Sequence, residues 1–161
     1  MIGSKFENTY VIQCLRGGKL AWEETIKNMV VNEGLDDVLE KYFMGDAYTA
    51  EHYLGLKGAG NVSANDTLTS HSGWSELAGY EGNRKKISYS GSVSGQALNS
   101  RNEQASTFVI NADQSIAGII VTTVASGTAG KLYGAANFPA VRNVFDGDQL
   151  VVALTFTQAS A

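Results

Sequence analysis

The last stretch of the chain alternates Leu150, Val152, Leu154 and Phe156 with Val151, Ala153, Thr155 and Thr157. A period of two puts the large apolar groups on one strand face and small or polar groups on the other. Thr107–Asn111 reads as a second strand, Asn111–Gln114 as a turn, and Ser115–Val124 as a return strand. In that return strand the β-branched Ile116, Ile119, Ile120, Val121 and Val124 favour extended backbone, and both faces are apolar enough to be covered. Near the start, Tyr10–Leu15 and Leu20–Ile26 form a hairpin pattern turning at Gly17-Gly18, with Leu20, Trp22 and Ile26 on one face, interrupted by Glu24. Two facing sheets would bury such strands, which predicts a β-sandwich.

The period then changes. Leu35, Val38, Leu39, Tyr42 and Phe43 stand at i, i+3, i+4, i+7 and i+8, the stripe of one amphipathic helix packed inward from about Glu33 to Phe43. Asn32 serves as its N-cap and Gly45 as its stop, with Glu33, Asp36 and Asp37 favouring the N-terminal dipole end. His52–Leu56 is a short strand, and Lys57–Ser72 a loop with a helical turn at Asp66–Ser70. Trp74–Leu77 returns to the core. Lys85–Ser90 and Lys131–Ala135 are further strands. Gly91–Gln104 is a polar exposed connection, and Asn137–Asp148 is a Pro-containing stretch closing on a turn at Gly147. About eight short strands with one helix suit a β-sandwich or jelly roll in a single domain, 1–161, with residues 1–8 as a flexible N-terminal arm.

Composition narrows the classes. At 161 residues, 43% hydrophobic and with a net charge of -4, the chain can bury one core and has little bulk attraction for nucleic acid. Cys14 is the single cysteine, so an internal disulfide is impossible. The start lacks an apolar signal core and no run reaches membrane-spanning length. The expectation is synthesis in the cytoplasm with no membrane partner, which makes the sequons at Asn61 and Asn65 incidental.

Candidate chemistry adds little. His52 and His71 lack metal-ligand spacing, and Gly91-Ser-Val-Ser-Gly95 puts Val93 where a nucleophile would stand. Gly55-Leu-Lys-Gly58-Ala-Gly60 has the wrong spacing for a dinucleotide loop, and Asp146-Gly147-Asp148 reads as a turn. Arg84-Lys85-Lys86 is a solvated strand edge. The expectation is no enzyme, no cofactor and no metal. Trp22, Trp74, Tyr48, Tyr53, Tyr80 and Tyr89 could build a sugar-stacking platform, with core packing the favoured alternative.

Three blocks carry a resemblance. Tyr10-Val-Ile-Gln-Cys-Leu joins Ala21-Trp-Glu-Glu and Asn32-Glu-Gly-Leu; Gly45-Asp-Ala-Tyr-Thr-Ala precedes Tyr53-Leu-Gly-Leu; and Asn65-Asp-Thr-Leu-Thr-Ser-His-Ser-Gly-Trp74-Ser-Glu is the most specific. Phe108-Val-Ile-Asn, Gly130-Lys-Leu-Tyr-Gly and Gly147-Asp-Gln-Leu-Val-Val come after them in order, so the likeness spans nearly the whole chain. The blocks resemble small virion structural proteins of tailed bacteriophages, with Asn65 where that family usually has glycine. The resemblance implies a jelly-roll cement, or decoration, protein on the capsid exterior, bound to the major capsid protein. The alternative is a head-fibre or tail module that binds host carbohydrate. Asp66, His71, Gly73 and Trp74 are then expected as a structural motif, with Trp74 a buried anchor. Lys5, Phe6, Asn99 and Arg101 stand as capsid-contact candidates, in segments without the periodicity of packed elements. Self-association as a homodimer is expected, with a trimer as the alternative.

Overall fold

The structure is a computed structural model that describes residues 4–47, 51–89, 92–99 and 106–160. Eleven strands are present among them: β1 (Ser4–Arg16), β2 (Lys19–Lys27), β3 (Met29–Val30), β4 (Tyr53–Lys57), β5 (Glu76–Leu77), β6 (Lys85–Lys86), β7 (Ala97–Asn99), β8 (Ser106–Val109), β9 (Gln114–Thr122), β10 (Leu132–Val144) and β11 (Gln149–Ser160). One antiparallel sheet runs β2-β1-β11-β7, with β8 also on β11; the other runs β3-β10-β9-β4-β5, with β6 also on β4. The fold is a β-sandwich. Between the sheets lie Tyr10, Ile12, Leu54, Leu56, Phe108, Ile119, Val121, Leu150, Val152 and Leu154. The alternation of the closing strand therefore points its large residues inward as the pattern requires.

Strand β9 is covered on both faces. Ile119 and Val121 enter the central core, while Ile120 joins a second cluster with Val31, Leu68, Trp74, Leu132 and Ala135. The turn before it holds, but β9 does not return along its predecessor. Strand β8 pairs with β11 and β9 pairs with β10 and β4, so the Asn111 turn carries the chain from one sheet to the other. The first hairpin turns at Gly17 and Gly18, both at positive φ (57° and 76°), the conformation a two-residue turn with right-handed strand twist needs.

Several expectations are corrected. Residues 4–8 are not a flexible arm: Ser4 to Asn8 pair with Ser160 to Phe156 in the long β1–β11 ladder. Backbone hydrogen bonds hold these ends, and a ladder needs no apolar alternation, which both ends lack. Strand β10 continues through Pro139, with its register slipping between Asn137 and Arg142 so that the proline need not donate to the ladder. Most of the strands beyond the expected eight are only two or three residues long, too short to leave a period. Among the described residues of Lys85–Ser90 only Lys85–Lys86 is a strand on β4, and among those of Gly91–Gln104 the segment Ala97–Asn99 is a strand on β11. Residues 66–70 form no helical turn; Thr67 and Ser70 exchange backbone hydrogen bonds instead.

The helix holds the largest correction. Helix α1 (Asn32–Val38) passes directly into a π-helical turn, Leu39–Phe43, and its N-cap is Val31 with no side-chain hydrogen bond, not Asn32. Its stripe faces outward: Leu39 is 53% exposed, Tyr42 79% and Phe43 72%. The inward side is Val31 and Gly34, with half-buried Val38. A Cβ at position 34 would stand 2.3 Å from the carbonyl oxygen of Tyr133, so only glycine lets the helix lie on the β10 backbone. A glycine contributes nothing to a hydrophobic pattern, so the stripe points to the wrong face.

Gly34→Ala should therefore destabilise the protein by about 1–3 kcal/mol through overpacking, whereas Leu39→Ala should stay within about 0.5 kcal/mol of wild type. Urea denaturation midpoints check both, and the reverse ranking would contradict the orientation.

Candidate functional site

The block Asn65–Glu76 closes over the outer face of the second sheet. Trp74 is 5% exposed and packs on Leu68, Ile120 and Ala135. Its indole Nε1 donates to Asp66 Oδ2 at 2.9 Å, and the Ser63 amide donates to the same oxygen at 2.9 Å. One buried carboxylate thus ties the tryptophan to the turn that precedes it. His71 stacks on the indole, centroids 3.9 Å apart and planes 14° apart, with Nδ1 3.0 Å from the Trp74 carbonyl. At Gly73 a Cβ would stand 2.6 Å from the Asn61 carbonyl oxygen, so the loop closes only around glycine. The structure brings Asp66, His71, Gly73 and Trp74 together as a loop anchor.

Lys57 at the end of β4 belongs to the same region, although it carries no signal in the sequence, where it marks only the start of a loop. It is fully buried, and its Nζ donates to Gly58 O (2.9 Å), Gly60 O (3.0 Å) and Asn137 Oδ1 (2.6 Å). The Trp74 ring centroid lies 5.5 Å away. Burial pulls the ammonium down to about 8, with the Asp66 charge acting against that shift. Three oxygen acceptors use all three donors, so this lysine is a strut between the loop and β10.

The second surface is the outward side of the helix. Leu35, Leu39, Tyr42, Phe43 and Met44 are all exposed, with the Tyr42 and Phe43 rings packed edge to face at 4.9 Å. Beside them a groove of about 660 Å³ is lined by Phe6, Val38, His52, Tyr89, Leu98 and Phe156 among others. An adjoining hollow of about 410 Å³ shares Phe6, Val38, His52 and Gln158 and extends to Tyr42 and Phe43. Within the wall the Tyr89 hydroxyl and His52 Nδ1 are 3.0 Å apart. Burial holds His52 below its ordinary value and pushes Tyr133 up to about 12. The His52 ring also packs against Tyr133 and Phe156. Tyr42 and Phe43 of the helix thus border the same hollow as Phe6 at the start of β1.

The capsid-contact candidates divide. Phe6 lines both parts of the groove. Lys5 is exposed and pairs with Glu7 at 3.0 Å. Asn99 aligns with Thr155 in the β7–β11 pairing, and Arg101 lies outside the described residues. The helix stripe escapes a sequence reading as a surface because an apolar stripe ordinarily means core.

Other features of the sequence are absorbed structurally. Arg84 is not part of a solvated edge: it is buried, with Nε and Nη2 each 2.7 Å from a Glu76 carboxylate oxygen. Asp148 is buried against Arg16, whose guanidinium holds its carboxyl below the usual range. Among the described residues no group of three or more His, Cys, Asp and Glu side chains is placed to hold a metal. No helix there is long and apolar enough to cross a membrane. Of the candidate sugar-stacking rings, Trp74 and Tyr80 are buried and Trp22, Tyr53 and Tyr89 half-buried, while Tyr48 lies outside the described residues. Compared with protein-family models, curated proteins and solved structures, the chain matches none.

Asp66→Ala should cost about 1–3 kcal/mol, because the Trp74 indole and the Ser63 amide both lose their acceptor. Its loop should loosen as well, read as a gain in iodide quenching over wild type. Lys57 gives a pH signature. Its folded value of about 8 lies below the ordinary 10.5, so the unfolded chain binds more protons between them and stability from this group rises with pH. Cys14, pushed up to about 11 from 9.0, acts oppositely above pH 9. Between about pH 7.5 and 9 the wild type should gain stability relative to Lys57→Met in thermal melts. A flat difference would contradict the burial argument.

Proposed function

We propose that this chain is a structural protein of a tailed-bacteriophage virion, a jelly-roll cement protein that binds the outer surface of the major capsid protein shell. The observation that carries the reading is the apolar face of Leu35, Leu39, Tyr42, Phe43 and Met44 turned to solvent beside an apolar groove. Large apolar side chains gathered at the surface of a small domain in this way mark an interaction surface. A cement protein needs just such a face, repeated in many copies, since each weak contact is multiplied over the shell. The resemblance of the Asn65–Glu76 block and its companions to phage virion proteins supplies the identity of the partner. The net charge of -4 suits an exterior position, away from packaged DNA. Self-association through a two-fold axis, by a face other than the helix, belongs to the same proposal.

The carbohydrate-binding fibre module draws nothing from Trp74 or Tyr80, whose rings are buried and unable to stack on a sugar. The test is co-sedimentation with empty shells assembled from the major capsid protein of the phage that encodes the chain. Wild type should pellet saturably. Tyr42→Ser with Phe43→Ser should weaken binding about tenfold or more while leaving the melting curve unchanged, since a loss of about 1.4 kcal/mol suffices for that factor. Shells that take up neither protein, or both equally, would overturn the reading.

A further inference from the structure

We infer that the surface seated on this helix is a basic one: a protein segment whose apolar side chain enters the groove between Phe6 and Val38 while flanking lysines or arginines face the helix. This rests on the docking role proposed above and names the chemistry of the partner. Charge is unevenly distributed along the chain. Residues 32–46 hold Glu33, Asp36, Asp37, Glu40 and Asp46 against Lys41 alone, five acids to one base, a net of -4. The whole chain, with 16 acidic and 12 basic residues, also has a net of -4. All the other residues together are neutral, so the excess negative charge of the protein sits on the segment that carries the exposed Leu39, Tyr42, Phe43 and Met44.

These carboxylates are not absorbed by the fold. Glu33 is the exception: its Oε2 accepts the Leu68 and Leu132 amides at 2.9 and 2.8 Å, and Lys131 lies 3.9 Å from its other oxygen. Asp36, Asp37 and Glu40 make no side-chain hydrogen bond or ion pair among the described residues. Asp37 lines the groove itself, next to Lys41. Asp36 and Glu40 stand with it on a neighbouring polar hollow of the same helix, which Lys131 also lines. An apolar helix that also carries unpaired carboxylates selects for a partner of complementary sign, which also steers the encounter. A second copy applied across a two-fold would set like charges face to face, a repulsive arrangement. An anionic membrane surface is disfavoured for the same reason.

The experiment uses the full chain and two synthetic peptides with the same leucine and phenylalanine positions, one carrying lysines and the other glutamates at all remaining sites. The lysine peptide should bind saturably by fluorescence anisotropy, and binding should weaken about tenfold as salt rises from about 0.05 to about 0.5 M, where charges are screened over a few ångströms. Phe43→Ser should abolish binding. The variant Asp36→Asn/Asp37→Asn/Glu40→Gln, which keeps the apolar patch, should weaken it several-fold. Equal binding of the glutamate peptide, no binding of either peptide, or an unchanged affinity in the neutralised variant would overturn the inference. So would a dimer by sedimentation that Phe43→Ser dissociates, or binding to phosphatidylcholine vesicles in preference to the lysine peptide. Co-sedimentation separates the two proposals. Shells that bind wild type and the neutralised variant alike defeat the basic-partner inference and leave the cement role standing. Shells that bind neither defeat the cement role, whatever the peptides do.

Discussion

The contact between Gly34 and the Tyr133 backbone decides which way the helix faces. With a hydrogen atom at position 34 the helix lies directly on β10, and a methyl group there would meet the Tyr133 carbonyl at 2.3 Å. Glu33 fixes the same end by accepting two amides, one from the Trp74 loop and one from β10. Once these two neighbours are docked, 3.6 residues per turn sets the faces of the α-helical part and turns Leu35 away from the sandwich. The π-helical turn that follows leaves Leu39 and Tyr42 exposed as well. A surface that looks like core by composition is thus presented outward by packing.

The other side of the second sheet explains why the helix is there at all. Strand β9 is apolar on both faces, and the facing sheet covers only one. Ile120 and its neighbours need a lid, which the loop around Trp74 and the start of the helix provide together. The lid is anchored by polar pairs placed inside an apolar setting: Asp66 to the indole, and Lys57 to three oxygens across to β10. Buried donors and acceptors of this kind specify a single arrangement, since every alternative leaves one unpaired. The lid then holds the helix that carries the exposed apolar face.

Long elements with a strong period are readable from the chain: the closing strand, the first hairpin, β9 and the existence of a helix. The two-sided apolar character of β9 points correctly to a second buried layer, and the Trp74 block to its anchor. The remaining features escape reading for identifiable reasons. Ser4–Asn8 and the end of β11 are held by backbone pairing that needs no side-chain pattern. Strand β10 is interrupted in pattern by Pro139 and a register shift. The helix face depends on Gly34, a residue whose contribution is the absence of a side chain. Lys57 looks like a loop residue because a buried lysine is recognisable only when its acceptors, one of them far along the chain, are seen around it.

A cement role through this helix requires that its apolar residues meet solvent in the free protein and are covered only on the shell. Hydroxyl-radical footprinting measures this directly, comparing the free protein with the protein bound to capsid shells. Tyr42, Phe43 and Met44 should oxidise rapidly in the free protein and be strongly protected on shells, with Trp74 protected in both. Slow oxidation of Met44 and Phe43 in the free protein, or labelling that shells leave unchanged, would show that the helix is not the docking face.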